Sequence, residues 1–118
     1  YGDEVGMEGY EDPLNRRCYP WGKEEPELLE WYRKIGNIRK DLAILSEGAY
    51  EPVHAANSVF VFSRTNGQEK VVVGVNRSDE PFSMEVEKMY KDLLNDTEVK
   101  GECVIEADGF CLLKRITA

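Results

Sequence analysis

Apolar residues recur at Leu28, Trp31, Ile35, Ile38, Leu42 and Leu45, alternating three and four apart, and Leu29 and Tyr32 widen the stripe. That spacing predicts an amphipathic α-helix. Its start is marked by Lys23-Glu24-Glu25-Pro26-Glu27, where acids complement the helix dipole and a proline gives up no hydrogen bond. Gly36 falls mid-helix at a cost of up to ~1 kcal/mol relative to alanine, which predicts a close contact there. Gly48 ends the pattern as a cap. The heptad lasts only about two and a half repeats, short of a coiled coil, so the stripe is expected to pack within the chain's own fold.

After Ser58 the period shortens to two. Ser58 to Ser63 and Glu69 to Asn76 are rich in Val and Phe and flank Asn66-Gly67, a strong hairpin signal. With Asn66 and Gly67 as the two turn residues, Phe62 faces Val71, Phe60 faces Val73 and Val61 faces Val72. Both faces are then apolar, which predicts burial on both sides. Asn76 to Pro81 reads as a turn, and Phe82 to Glu87 alternates, with Phe82, Met84 and Val86 on one face. Tyr90 to Leu94 and Gly101 to Glu106 read as further short strands. A last hairpin is expected around Asp108-Gly109, with Ala107 facing Phe110, Ile105 facing Leu112 and Cys103 facing Lys114. That register sets Cys111 beside Glu106 and keeps it from Cys103. Short strands separated by turn signals predict an antiparallel β-sandwich.

Ahead of the helix, Tyr1 to Val5 reads as a strand flanked by Gly2 and Gly6, and it opens into a polar loop carrying Asp12, Asn15, Arg16 and Arg17 around Pro13. A strand that releases a polar loop and is followed by a helix is half of a βα unit.

Composition narrows the function classes. The 118 residues make a modest core, and a net charge of −8 repels a phosphate backbone or an anionic membrane. No apolar run approaches the ~20 residues of a membrane span. Nucleic acid and membrane are therefore set aside as partners. Cys18, Cys103 and Cys111 are odd in number and lack CxxC spacing, and His54 is alone, so neither a disulfide framework nor a metal site is indicated. Free thiols favour a reducing, cytoplasmic compartment.

A hydrolytic centre of paired carboxylates needs two of them flanking one bond at roughly 5 to 9.5 Å. Asp3 and Glu4, adjacent in a strand, would point to opposite faces. Glu24, Glu25 and Glu27 are explained by a helix start. No pair in this chain makes a catalytic centre. Asp12 and Arg16 differ, because Pro13 stiffens the loop that holds them and a carboxylate with a fork of donors suits a ligand whose hydroxyls both donate and accept. Their alternative role is an ion pair that closes the loop. Tyr10, Tyr19 and Trp21 could stack on a sugar ring. Trp31 and Tyr50 are the remaining candidates, and the β-rich tail shows no exposed aromatic platform.

The strand Tyr1-Gly2-Asp3-Glu4-Val5-Gly6-Met7 and the run Asp12-Pro13-Leu14-Asn15-Arg16 resemble, in that order, the end of the catalytic barrel in the alpha-amylase family of glycoside hydrolases, in its neopullulanase and maltogenic-amylase branch. The resemblance implies that residues 1–48 are the last strand, loop and helix of a (β/α)8 barrel, with the regular helix stopping near Lys40, and that 49–118 form an antiparallel, Greek-key β domain. It implies a parent that hydrolyses α-glucosidic bonds in starch, maltooligosaccharides, pullulan or cyclodextrin, without a cofactor. The family's nucleophile, acid/base and third carboxylate come from earlier strands, so this chain alone is expected to be inactive. The residues matching Asp12 and Arg16 lie beside the sugar on the non-reducing side of the cleaved bond. Cys18 departs from the proline or small residue more common there. Partners implied are an α-glucan oligosaccharide, the N-terminal barrel and, through an uncovered stripe, a second copy of the chain. The alternative is a self-standing carbohydrate-binding or interaction module.

Overall fold

In the computed structural model, which describes residues 1–116, the helical period becomes helix α1, Pro26–Asp41. Glu27 lies in its first turn and Arg39 and Lys40 in its last, each complementing the dipole. A single-turn helix α2, Ile44–Glu47, follows, and Gly48 closes it by donating its N–H to the Ile44 carbonyl at 2.9 Å. The helix therefore stops where the resemblance implied. Gly36 has open space around it: a Cβ there would meet no atom within 4 Å, which overturns the expected close contact and leaves the glycine as an uncompensated weak point.

The segment Tyr1 to Val5 is not a strand. Asp3–Val5 form a 3-10 turn, held by Val5 N–H to Gly2 O at 3.2 Å and Gly6 N–H to Asp3 O at 3.1 Å. Gly2 and Gly6 bracket it with φ of 83° and 71°. The left-handed conformations open to glycine let the chain satisfy its own backbone groups within the turn instead of through a ladder. Asp3 and Glu4 accordingly lie on a turn and not on opposite faces of a sheet.

Six strands follow: β1 (Ala49–Ala56), β2 (Val59–Thr65), β3 (Lys70–Asn76), β4 (Phe82–Asp92), β5 (Thr97–Ile105) and β6 (Phe110–Arg115). All pairings are antiparallel, in the order β1-β2-β3-β6-β4-β5. β4 meets β6 only at Tyr90–Asp92, so the β4-β5 hairpin folds back over β1-β2-β3-β6 and the two inner faces make a sandwich. Val59, Val61, Val72, Tyr90, Cys103, Ile105, Cys111 and Leu113 form its buried core. His54 of β1 reaches across to Phe82 of β4, with ring centroids 4.6 Å apart.

Three strand expectations are corrected. The β2-β3 turn is Gly67-Gln68 and not Asn66-Gly67: Gly67 takes φ of 92° while Asn66 pairs with Glu69, so the register is Phe62 with Val73, Phe60 with Val75 and Ser63 with Val72. A positive φ at the first central residue alone is what the II′ class of turn requires. Moving the turn by one position moves the pairing by two, so each side chain keeps its face. Tyr90 to Leu94 is no separate strand: Tyr90 to Asp92 end β4, which bends at a register shift between Val86 and Tyr90, and Leu93 and Leu94 lie in the turn to β5. Finally, β5 and β6 do not form a hairpin. Asp108-Gly109 do turn the chain, with Gly109 N–H on Glu106 O at 2.9 Å, but Gly109 O receives the Asn76 N–H at 2.8 Å and steers β6 alongside β3. Cys103 therefore does not face Lys114, and it shares the core with Cys111.

Asn76 anchors this crossing. It is wholly buried, donates from Nδ2 to the Glu80 and Ile105 carbonyls at 2.8 and 2.9 Å, and accepts on Oδ1 from Ser78 N–H and Oγ at 2.9 and 2.6 Å. All four of its hydrogen-bonding capacities are met.

The described residues divide into two compact units, Tyr1–Asp41 and Leu42–Ala118. The last two residues of the expected 49–118 domain lie outside the description. Among the described residues no helix is long and apolar enough to cross a membrane.

Candidate functional site

The loop after the 3-10 turn is built from short-range bonds, because it has neither helical nor sheet partners. Leu14 N–H donates to Glu11 O at 2.8 Å and Arg16 N–H to Pro13 O at 3.0 Å, which coils the stretch so that residues four apart meet. The Asp12–Pro13 peptide is cis. On this coil Arg16 Nε sits 2.7 Å from Asp12 Oδ1, with the side chains 72% and 60% exposed. The two predicted site residues are thus brought together. At that exposure an ion pair contributes about 0–1 kcal/mol, so a ligand can separate it at little cost.

The loop is tied down next to the pair. Arg17 donates from its guanidinium to the Glu8 carbonyl, and Tyr1 Oη donates to Arg17 O at 2.7 Å. A concavity of about 310 Å³ is lined by residues including Met7, Glu8, Arg17, Cys18 and Lys23, and neither Asp12 nor Arg16 lines it. Tyr10 and Trp21 are 66% and 82% exposed. Tyr19 lies against Trp21 with ring centroids 4.4 Å apart, and its partial burial, with the Glu24 and Glu4 carboxylates, holds its phenol above the ordinary range against the opposing charge of Arg33. Among the described residues, no three of His, Cys, Asp or Glu are grouped to hold a metal ion.

The β unit carries a feature the sequence reading lacked. On the outer face of β1-β2, Tyr50, Phe62 and Phe60 form a row, with centroids 5.4 and 5.6 Å apart and ring planes tilted by 38° and 35°. Tyr50 and Phe60 are exposed, as is Phe110 two strands away. The tail therefore does have an exposed aromatic surface, although that outer face of the β2-β3 hairpin is still covered at Val71, which is fully buried, as the inner face is at Val61 and Val72. A pattern that is apolar on both sides of a strand does not say which side is covered.

Residues 48–116 match the sequence profile described as the alpha-amylase C-terminal domain. The chain belongs to that family. The amylopullulanase of Thermoanaerobacter thermohydrosulfuricus is 32% identical over 122 residues, covering 92% of this chain and 8% of the relative. The cyclomaltodextrinase of Geobacillus thermopakistaniensis is 35% identical over 119 residues, covering 95% of this chain and 20% of the relative. The solved structure of the alpha-amylase from Geobacillus thermoleovorans, complexed with acarbose, superposes with a TM-score of 0.89 at 25% identity over 99% of this chain and 29% of that one. The chain thus spans a fifth or less of the two curated relatives, and its similarity to them extends upstream of the C-terminal domain.

Proposed function

We propose that this chain is the C-terminal part of an alpha-amylase-type glycoside hydrolase acting on α-glucosidic bonds, in which 1–48 complete the catalytic barrel and 49–118 are the stabilising β domain. The observation that carries the reading is the exposed Asp12–Arg16 pair at 2.7 Å, on a self-bonded loop that precedes α1 and a domain of this family. Asp12 accepts from a sugar hydroxyl and Arg16 donates to another, which orients an α-glucan for carboxylates supplied by the rest of the barrel. The purified chain should give no turnover of a chromogenic maltooligosaccharide, and hydrolysis free of contaminating amylase would sink the reading. In the longer enzyme, Asp12→Ala and Arg16→Ala should each raise KM. An unchanged KM in both variants would reduce the pair to a loop closure.

Pairing of two copies through α1 belongs to the same reading, since none of Leu28, Trp31, Ile35 and Ile38 is buried. Light scattering across a concentration series tests it: a mass that stays monomeric throughout rejects it. The second reading, a self-standing carbohydrate-binding β module, draws its support from the Tyr50-Phe62-Phe60 row. It requires retention of the chain on amylose that is lost on Tyr50→Ala.

A further inference from the structure

Two strands of the sandwich carry an irregularity beside the same concavity. In β1 the register passes from Pro52–Phe62 to His54–Val61, which leaves Val53 as an extra, unpaired residue. In β4 it passes from Val86–Gly101 to Tyr90–Val99, so Glu87, Lys88 and Met89 stand opposite Lys100 alone. Val53 and Lys88 line one concavity of about 320 Å³, with Val72, Met84 and Tyr90 in the same wall. Bulges bend a strand and re-aim its side chains, and they recur beside sites. The volume falls at the lower end of the range for small-ligand pockets.

Tyr90 is 6% exposed, yet its hydroxyl makes no hydrogen bond among the described residues. No sealed side-chain polar atom among those residues lacks a partner, so the Tyr90 hydroxyl is open to the concavity that Tyr90 lines. Charges of both signs complete the wall: Lys70 and Arg115 join Lys88, and Glu85 and Glu87 line it too. Arg115 is already held, donating to the Gly67 and Gln68 carbonyls at 3.4 and 2.5 Å, whereas Lys70 and Lys88 enter no ion pair among the described residues. An ion of either sign would meet its own sign there. A neutral ligand whose hydroxyls donate and accept suits ammonium, carboxylate and phenol alike, and an apolar ring face suits Val53, Val72 and Met84.

We infer that this concavity binds a hexopyranose ring of an α-glucan at a site within the β unit, with the Tyr90 hydroxyl and the Lys88 ammonium as its hydrogen-bonding groups. The α-glucan class rests on the glycosidase reading above, whereas the sugar chemistry rests on the wall alone. Tyr90 Oη both donates and accepts, Lys88 Nζ donates only, and Val72 and Met84 meet the C–H face of the ring. The site is distinct from the Tyr50-Phe62-Phe60 row, none of which lines it.

The test titrates the full chain with maltose and follows backbone amide NMR shifts. Saturable shifts centred on Val53, Val72 and Lys88 to Tyr90 are expected, and Tyr90→Phe, which removes only the hydroxyl, should weaken binding about three- to tenfold. Lys88→Ala should weaken it by a similar factor, and because Lys88 is exposed that variant leaves the core intact. The inference is overturned by an absence of shifts at those residues, by shifts confined to the Tyr50-Phe62-Phe60 row, or by wild-type affinity in both variants. Inorganic phosphate is titrated in parallel, and a response to phosphate without one to maltose would make this an anion site and overturn the sugar assignment. The readout needs no turnover. An unchanged KM for Asp12→Ala and Arg16→Ala in the longer enzyme would remove the loop's proposed role and leave maltose binding here standing, so the two readings fail separately.

Discussion

The two units of this chain carry opposite balances of burial and chemistry. In Leu42–Ala118, side chains from five strands close on Leu113, Val61 and Ile105, which are all but inaccessible, and Asn76 spends every hydrogen bond inside. In Tyr1–Asp41, Val5 is the one buried hydrophobic side chain among the described residues, α1 has none, and the polar groups that could meet a ligand stand open to solvent. A ligand loop has to leave its hydrogen-bonding groups unspent, whereas a scaffold gains stability by spending them. On the proposed function, the difference teaches that stability and recognition in this chain are written in separate stretches of sequence, so substitutions should sort by unit.

The largest effect comes from Leu113→Ala, which empties a fully buried site and should cost about 2–5 kcal/mol. Leu28→Ala in α1 removes a half-buried side chain beside Gly6 and Glu25 and should cost under about 1 kcal/mol. The two tryptophans, Trp21 and Trp31, both lie in the first unit, so fluorescence follows that unit while hydrogen exchange follows the sheet. Equal losses from the two substitutions would break the comparison. Next in size is Asn76→Ala, which strands the Ile105 and Glu80 carbonyls and should cost about 1–3 kcal/mol in urea unfolding of the sheet. A loss near zero would mean that water takes over those bonds.

What could be read in advance follows the range of the forces. α1 was legible because a periodic stripe and Pro26 are local marks, and Gly48, which closes α2, marked the end of the helical stretch. The alternation of Phe82, Met84 and Val86 held for the same reason. Asn66-Gly67 announced a hairpin and misplaced its turn by one residue, since glycine supplies a positive φ at either central position. Asp108-Gly109 announced a turn that exists, yet β6 goes on to β3, because the bond from Asn76 N–H to Gly109 O joins residues far apart in sequence. Tyr1 to Val5 failed because Gly2 and Gly6 permit a self-satisfied turn. The Asp12–Arg16 contact was legible because Pro13 stiffens the short loop between them, while the Tyr50-Phe62-Phe60 row needed the β1-β2 register, in which Pro52 faces Phe62 and Tyr50 faces Arg64.

A smaller effect is expected at the proposed recognition pair. Asp12→Ala or Arg16→Ala should move the unfolding free energy by less than about 1 kcal/mol, because the pair is mostly exposed. Set beside a raised KM in the proposed longer enzyme, that neutrality distinguishes a ligand pair from a structural one. Destabilisation comparable to Asn76→Ala would place Asp12 and Arg16 among the scaffold residues and collapse the distinction between the units.

The smallest effect concerns the matching ion pair of the β unit, Lys91 Nζ to Asp96 Oδ1 at 2.9 Å, which spans the turn between β4 and β5 with side chains 50% and 84% exposed. The hydrogen bond from Lys91 and then its charge hold the Asp96 carboxyl below the usual range, and the same bond and charge raise Lys91 against a small opposing effect of burial. A depressed carboxylate contributes stability above its unfolded value, near about 3.9, and loses it as pH falls through the lower folded value. A raised lysine contributes fully below its unfolded value, near about 10.4, and loses it as pH rises through the higher folded one. Between those limits the contribution is flat. Asp96→Asn isolates it, since Asp96 has φ of 56° and asparagine accepts that left-handed conformation. The wild-type urea midpoint should exceed that of Asp96→Asn by a small constant amount around about pH 7, and the two should converge as pH falls through the lowered Asp96 value. A gap that persists in acid would show that Asp96 acts through turn geometry and not through its charge, and the pair would then serve the scaffold as Asn76 does.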